Sequence, residues 1–213
     1  MKQENNQEFN SIQIAKVQSA KKLVEFNDQL AIVKPNKYAK IHAGTGEGYT
    51  AYPSRIGVKI LDYSNGTGDK TVTLTANLKP TTVAFLFEMV KRYMYKAADY
   101  KWSQQRIHET KTDAQSGLAP VQTLTVERMH KASDGSPQRN PWKIQIENGY
   151  GVPQKTQNGG TQIKPKSYQR GSYAFMMISE EDMFCLFHDT QRFIELWEMA
   201  YGIKVIKDAK GMK

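Results

Sequence analysis

Basic and aromatic side chains alternate through residues 131–173. The cations of this stretch are Lys131, Arg139, Lys143, Lys155, Lys164, Lys166 and Arg170, and the rings between them are Trp142, Tyr150, Tyr168 and Tyr173. Its carboxylates are Asp134 and Glu147, so positive charges outnumber negative ones by five. Cationic side chains neutralise phosphates, and flat rings stack on unpaired bases. The pattern therefore predicts a surface that binds a single-stranded nucleic acid.

A weaker version of the same pattern lies between residues 34 and 63. There, lysines and Arg55 are close in sequence to four tyrosines, at positions 38, 49, 52 and 63. From both stretches we predict one set of nucleic-acid-binding residues. The set is Lys37, Tyr38, Lys40, Tyr52, Arg55, Lys59, Tyr63, Arg139, Trp142, Lys143, Tyr150, Lys155, Lys164, Lys166, Tyr168, Arg170 and Tyr173.

Each of these residues also has an ordinary structural interpretation. Outward lysines protect strand edges from aggregation, and tyrosines are often half-buried packing residues. Trp142 begins a stretch in which it alternates in phase with Ile144 and Ile146, so core packing and base stacking both stay open for it. The binding prediction depends on cations and rings occurring together in both halves of the chain.

Residue spacing does not favour an enzyme. The loop "GTGEGY" at 44–49 lacks the spacing of a phosphate-binding glycine motif, and the four histidines are scattered. Glu180, Glu181 and Asp182 are adjacent, but acidic residues at this place are typical of a helix start. The sequence predicts no catalytic residues, no metal site and no cofactor.

Composition sets the broad class. The chain has 213 residues, a formal charge of +9 and one cysteine, Cys185, which we expect to be a small buried residue. No run of about 18 apolar residues is present, and "MKQENNQEFN" lacks the apolar core of a signal peptide. We therefore expect a cytoplasmic protein that does not contact a membrane. A basic balance also favours polyanionic partners.

Hydrophobic periodicity predicts four strands and a helix in the first half. The strand-like stretches are "KLVEFNDQLAIVKP", "KYAKIHA", "RIGVKILDYS" and "KTVTLTANL". In the third, Ile56, Val58 and Ile60 alternate with polar residues, as in a strand with one buried face. Pro80 then suits the first turn of a helix predicted over about 80–97.

The second half repeats this order. Its strand-like stretches are "VQTLTVERMHKA", "PWKIQIENG", "TQIKPKSYQ" and "GSYAFMMIS". Ser179 and the acidic residues after it predict the N-terminus of a helix that reaches about Tyr201, with Gly202 as its C-cap.

The order of elements therefore indicates a duplicated β-β-β-β-α module. The pair Leu86-Phe87 recurs as Leu186-Phe187 at the start of the second helix. We predict an α+β fold of two pseudo-symmetric modules, with antiparallel sheets backed by helices. The predicted boundaries are a flexible arm at 1–21, one domain at 22–203 (modules at 22–98 and 121–203, with a connector at 99–120) and a basic tail at 204–213.

A tandem β-β-β-β-α repeat in a basic chain without metal motifs resembles the Whirly fold and the related Pur-alpha repeats. The resemblance covers roughly residues 22–203 and implies curved antiparallel sheets, single-stranded DNA or RNA as partner, and a homodimer or homotetramer. It lies in the order of elements. The Whirly signature "KGKAAL" does not occur, and "KPNKYAK" and "IKPKSYQR" are the closest basic stretches, so no family binding residue transfers to this chain.

Taken together, these features predict a sequence-tolerant single-stranded DNA-binding protein of a bacterium or phage. It would act in replication, recombination or DNA transfer. Two alternatives remain open at this point. One is an RNA-binding protein on the same scaffold, and the other is a protein-interaction or assembly module of a phage or mobile element, which the aromatic second helix could serve.

Overall fold

Two four-stranded antiparallel sheets and two helices form the part of the chain that the computed structural model describes, residues 12–31 and 54–210. Sheet A consists of β1 (Gln13–Gln18), β2 (Lys22–Gln29), β3 (Arg55–Asp62) and β4 (Val72–Leu78), in that spatial order. The helix α1 (Pro80–Tyr93) follows β4 directly. The predicted α+β class with antiparallel sheets is confirmed.

Sheet B has the spatial order β10-β7-β6-β5. Its strands are β5 (Tyr100–Ile107), β6 (Ala119–Arg128), β7 (Trp142–Gly151) and β10 (Gln169–Ile178). Between β7 and β10 the chain leaves the sheet and forms a small hairpin of β8 (Pro153–Lys155) and β9 (Thr161–Ile163). The helix α2 (Glu180–Lys210) follows β10, and two short 3-10 helices span Gly68–Lys70 and Glu109–Lys111.

The strands bury one face each, as their alternation predicts. In β3, Ile56, Val58 and Ile60 are buried, whereas Arg55 and Lys59 are partly exposed. The core-facing residues of both sheets belong to one cluster with buried residues of α1 and α2. Because this core holds one face of each sheet, the opposite face of each sheet is left to carry polar and functional residues.

Local sequence signals account for the helix starts. Pro80 occupies the first turn of α1, where its missing amide hydrogen costs nothing. Ser179 caps α2, because its Oγ accepts a hydrogen bond of 3.1 Å from the amide of Asp182. The Asp182 carboxylate in turn accepts a hydrogen bond of 2.7 Å from the Ser179 hydroxyl. This capping arrangement confirms the helix start predicted at Ser179.

Two strands lie where the sequence predicted an arm and a connector. β1 falls within 1–21, and β5 falls within 99–120. Both have weak alternation, and each is stabilised by packing of its few apolar residues against the core, such as Val17 in β1 and Trp102 in β5. Tertiary packing thus overrides a weak local signal.

The stretch "TQIKPKSYQ" does not provide a strand of sheet B. Residues Thr161–Ile163 form β9 of the separate hairpin. Pro165 has no amide hydrogen to donate, and Lys166 has a φ of 66°, so the chain turns there instead of extending. The other predicted strand "KYAKIHA" lies outside the described residues.

The helix ends and the cysteine also differ from prediction. α1 ends at Tyr93 instead of about 97, because Tyr95 adopts a left-handed φ of 58°. α2 continues through Gly202 to Lys210, so that glycine is not a C-cap. Cys185 is exposed rather than buried, since it lies on the side of α2 that faces away from the core.

Candidate nucleic-acid interface

The face of sheet B that points away from the core carries a group of cations and rings. We define the aromatic–basic face as Lys101, Lys143, Arg170, Tyr173 and Phe175, with a polar floor between them. The floor side chains are Ser103, Gln105, Thr123, Thr125 and Gln145. Three interstrand spacings of about 4.8 Å make this face roughly 14 Å wide, enough for a short segment of a single strand.

A β-bulge brings Arg170 and Tyr173 onto the same face. The two residues are three positions apart, so a regular strand would place them on opposite sides. The register shifts between them, and Tyr173 lies opposite Glu147 while Arg170 lies opposite Gly149. Glu147 and Gly149 both occupy outward-facing positions of β7, so Arg170 and Tyr173 lie on the outer face. Gly171 lies in the bulge, where a Cβ would meet the carbonyl oxygen of Asn148 at 2.9 Å.

The rings of this face are positioned and accessible. Tyr173 is 49% exposed, and its ring is parallel to that of Phe175 within 3°, with centroids 6.3 Å apart. The Arg170 guanidinium carbon is 5.2 Å from the centroid of the Tyr173 ring. Lys22 of sheet A also contacts this residue, with Nζ 4.0 Å from the centroid of the Phe175 ring and 2.9 Å from its carbonyl oxygen. An exposed ring beside a guanidinium can stack on a base while the cation contacts a phosphate.

Two lysines converge on one carboxylate across the floor. Glu127 accepts the ammonium of Lys143 at 2.5 Å and that of Lys101 at 3.4 Å. Burial alone would raise the pKa of Glu127, but the hydrogen bond and charge of Lys143, together with Lys101, outweigh it and lower that pKa. The carboxylate is therefore ionised at neutral pH and pairs with both lysines.

Glu147 plays the same part for the other end of the face. Its buried carboxylate accepts hydrogen bonds from the Tyr168 hydroxyl at 2.7 Å and from Arg170 Nη2 at 2.8 Å. Burial, and then the hydrogen bond to Glu147, raise the pKa of Tyr168 to about 12. With three cations and two carboxylates, the face keeps an excess of one positive charge.

The chain between β7 and β10 closes one end of this face. A Cβ at Gly149 would meet the carbonyl oxygen of Gln169 at 2.5 Å and the Tyr168 hydroxyl at 2.6 Å, and a Cβ at Gly151 would meet Ile163 at 2.5 Å. The two glycines thus let Tyr168 and the β8–β9 hairpin lie directly on the sheet. The result is a trough with a wall at the Gly149 end.

Lys143, Tyr168, Arg170 and Tyr173 are the predicted residues that the fold brings together on this face. The prediction that Trp142 binds nucleic acid is wrong. Trp142 is fully buried, and its Nε1 donates a hydrogen bond to Glu180 at 2.6 Å. Its ring packs in the core and is not accessible to a base. Tyr150 is half exposed but shares the parity of Ile144 and Ile146, so it points to the opposite side of sheet B.

The remaining predicted residues of the second half lie in loops or in the hairpin. Lys155 is in β8, where it pairs with Glu109 at 2.7 Å. Lys164 and Lys166 are exposed in the turn after β9, and Arg139 is exposed in the connection between β6 and β7. These four cations are not part of the aromatic–basic face.

In the first half, the structure separates the predicted residues. Lys59 lies on the outer face of sheet A and pairs with Glu25 at 3.0 Å. That face surrounds Gly57 with the amide side chains of Gln13, Asn27, Gln29 and Asn77. Tyr63 is partly buried just beyond β3. The predicted residues Lys37, Tyr38, Lys40 and Tyr52 lie outside the described residues.

Arg55 contributes to a second positive region. Burial, and then the charge of Arg106 on β5, lower the pKa of Arg55. Burial, and then the charges of Arg106 and Lys111, likewise lower the pKa of His108. Among the ion pairs between described residues, none includes Arg55, Arg106, His108 or Lys111. The region adds positive potential near the junction of the two sheets.

Sequence reasoning missed Lys101, Gln105 and Phe175. Lys101 and Gln105 belong to β5, which was predicted to be a connector. Phe175 has the apolar character of a core residue, but it alternates with the buried Ala174 and Met176 and so faces outward. The register is regular from Tyr173 to Ile178, so alternation with Ala174, Met176 and Ile178 was the available signal for Phe175.

Comparisons with known proteins add no relative. No protein-family model, no curated protein and no solved structure matches this chain. Neither α1 nor α2 has the combination of length and apolar character that a membrane span requires.

Proposed function

We propose that this protein binds single-stranded DNA with little sequence preference and that the strand lies across the aromatic–basic face. The observation that carries the proposal is the Arg170–Tyr173 pair, a guanidinium 5.2 Å from the centroid of a half-exposed ring that is parallel to Phe175. Lys143 and Lys101 lie on the same face. The protein would act as a binding protein in replication, recombination or DNA transfer, not as an enzyme.

The chemistry of the face favours a single strand over a duplex. Stacking needs unpaired bases, and each stacked base contributes about 1–3 kcal/mol whatever its identity. The floor of serine, threonine and glutamine offers hydrogen bonds to both bases and sugars. The resemblance to the Whirly and Pur-alpha families, which rests on the predicted duplication of a β-β-β-β-α order, implies a single strand as partner as well.

The existing ion pairs determine how binding should respond to salt. Phosphates must compete with Glu127 and Glu147 for Lys101, Lys143 and Arg170. If all three cations contact phosphates, the logarithm of the affinity should fall against the logarithm of salt concentration with a slope of about −2, since each contact on a single strand contributes roughly 0.7. A steeper slope would mean that further cations, such as Arg55 and Arg106, also contact the strand.

The test is fluorescence anisotropy with a labelled oligo(dT) strand, a DNA duplex and an RNA strand, between about 50 and 300 mM salt. We expect the single DNA strand to bind more tightly than the duplex and its affinity to fall over that range. An affinity that does not change with salt, or equal binding of duplex and single strand, contradicts the proposal. A direct competition of matched DNA and RNA strands decides between DNA and RNA as the partner.

A further inference from the structure

The second half of α2 extends past the core that anchors the first half. The helix has 31 residues and is therefore about 46 Å long. Its buried side chains Met183, Leu186, Phe187, Thr190 and Ile194 all lie in the first half. Beyond Ile194, Gly202 is the one buried residue among those whose burial the structure describes. Among the residues beyond Ile194 whose burial the structure describes, no apolar side chain is buried.

The solvent-exposed side of α2 changes character at Leu196. Before it, this side carries polar residues such as His188, Asp189 and Arg192, as expected of a surface helix. From there onward four exposed apolar residues follow one another at intervals of three, four and three. They are Leu196, Met199, Ile203 and Ile206, with 50%, 69%, 66% and 42% of their surface exposed. We define these four residues as the α2 stripe.

The spacing of the α2 stripe is that of a coiled-coil seam. Apolar residues alternately three and four positions apart occupy the a and d positions of a heptad, and in a coiled coil they pack against the same positions of a second helix. A helix that packs on its own domain usually has a broader apolar face than the α2 stripe. The pattern thus indicates another helix as the partner.

We propose that the α2 stripe binds the α2 stripe of a second copy of this chain, with the two helices antiparallel. Charge complementarity favours this occupant and this direction. Glu195 and Glu198 lie near the start of the stripe, where Arg192 pairs with Glu195 at 3.5 Å, so this end keeps a net charge of about −1. Lys204 and Lys207 lie near the other end and make it basic. An antiparallel pair places the acidic end of each helix beside the basic end of the other, whereas a parallel pair places like charges together.

The antiparallel arrangement also matches the apolar residues in size. When the twofold axis passes at the level of Tyr201, Leu196 lies level with Ile206 of the second copy, and Met199 lies level with Ile203. Both layers then combine an a position with a d position, as antiparallel coiled coils do. The interface is isologous, so it closes as a dimer and does not continue into a filament.

The fold favours association but limits its strength. The first half of α2 is fixed on the core, so the second half does not pay the cost of helix nucleation on binding. Four apolar residues from each copy bury less than the roughly 1,600 Å² of a standard stable interface. We therefore expect a monomer–dimer equilibrium that depends on protein concentration. This inference is independent of the proposed function, and either can fail without the other.

Sedimentation of the full chain at several concentrations tests the dimer. We expect the mass to rise from 24.2 kDa toward twice that value as concentration increases. Met199→Glu and Ile203→Lys should each keep the protein monomeric at every concentration. Phe85→Glu is the matched control, because Phe85 is also an exposed apolar residue (on α1) but lies off the stripe. It should leave the dimer intact.

A mixture of the two variants tests the direction of the helices. In an antiparallel pair, the new carboxylate of Met199→Glu meets the new ammonium of Ile203→Lys while the other layer stays native, so the mixture should form a heterodimer. In a parallel pair no such match exists, and the mixture stays monomeric. A wild-type chain that is monomeric at all concentrations, or a dimer that survives Met199→Glu, overturns the proposal. Circular dichroism confirms that each variant is folded.

Discussion

The indole Nε1 of Trp142 donates a hydrogen bond of 2.6 Å to Oε2 of Glu180, the first residue of α2. The other carboxylate oxygen of Glu180 accepts Arg128 Nη2 at 2.5 Å and the amide of Tyr95 at 3.1 Å. Arg128 is itself buried and also donates to the carbonyl oxygens of Lys96 and Ala98. One carboxylate thus joins β6, β7, the chain after α1 and the start of α2.

Removal of this carboxylate should destabilise the whole fold. Glu180→Ala leaves the Arg128 guanidinium buried without its counter-charge, and we expect the free energy of unfolding to fall by about 3 kcal/mol or more. Urea denaturation followed by circular dichroism measures the change. Glu181→Ala is the control, since Glu181 is exposed and its loss should cost within about 0.5 kcal/mol. Equal effects of the two substitutions would contradict the role of Glu180.

Two tyrosines of equal exposure should differ in their effect on binding. Tyr173 and Tyr150 are 49% and 51% exposed, but they lie on opposite sides of sheet B. If bases stack on the aromatic–basic face, Tyr173→Ala should weaken oligo(dT) binding by about 1–3 kcal/mol, which is roughly 5- to 150-fold. Tyr150→Ala should leave the affinity nearly unchanged. Anisotropy titrations of both variants show whether the strand uses this side of the sheet.

A charge-matched pair of substitutions separates a local contact from a general charge effect. Lys143→Ala and Lys164→Ala each remove one positive charge, but Lys143 lies on the aromatic–basic face and Lys164 in the turn after β9. We expect Lys143→Ala to reduce the slope of log affinity against log salt by roughly 0.7 and Lys164→Ala to leave it unchanged. If both variants change the slope equally, long-range charge and not contact with this face determines binding.

The glycines of sheets A and B should respond differently to an added methyl group. In Gly149→Ala the Cβ meets a backbone oxygen at 2.5 Å, which cannot move without displacing the strand, and we expect a loss of about 1–3 kcal/mol. In Gly57→Ala the nearest atom is Nε2 of the exposed Gln29 side chain, which can rotate away. That substitution should be neutral or stabilise by up to about 1 kcal/mol, because it restricts the unfolded chain. Thermal or urea unfolding compares the two.

The raised pKa of Tyr168 predicts a loss of stability in alkali. The folded state favours the protonated phenol, with a pKa of about 12 against an ordinary value of about 10. The hydroxyl therefore contributes stability below about pH 10, and this contribution is lost as the pH rises from about 10 to 12. The unfolding free energy of Tyr168→Phe should fall less steeply over that window than that of the wild type. Parallel curves for the two proteins would show that burial and the hydrogen bond to Glu147 do not raise the pKa of Tyr168.

Alternation predicted much of the fold, because one buried face leaves a clear pattern in β3, β4, β6 and β7. It predicted the outward position of Lys143 for the same reason. It could not predict the bulge that places Arg170 beside Tyr173, since that register shift depends on the paired strand β7. The burial of Trp142 was likewise undecided, because its hydrogen-bond acceptor Glu180 is 38 residues away in sequence.

The weak strands illustrate the second limit of sequence reasoning. β1 and β5 have few apolar residues, and each is stabilised by pairing with a stronger neighbour, β2 or β6. The stabilising contacts come from residues outside the strand itself. A short sequence window therefore does not recognise such a strand. The failure to predict β5 mattered most for the candidate site, because its Lys101 and Gln105 complete the aromatic–basic face.

Residues 152–168 connect β7 to β10, and these two strands are neighbours in sheet B. The length of this connection is therefore independent of the sheet topology, and loop-closure entropy changes slowly with added residues. Insertions or deletions in residues 152–168 could widen or narrow the trough while the eight paired strands stay as they are. This segment is where natural variation, or deliberate grafting, could retune ligand choice at the smallest risk to folding.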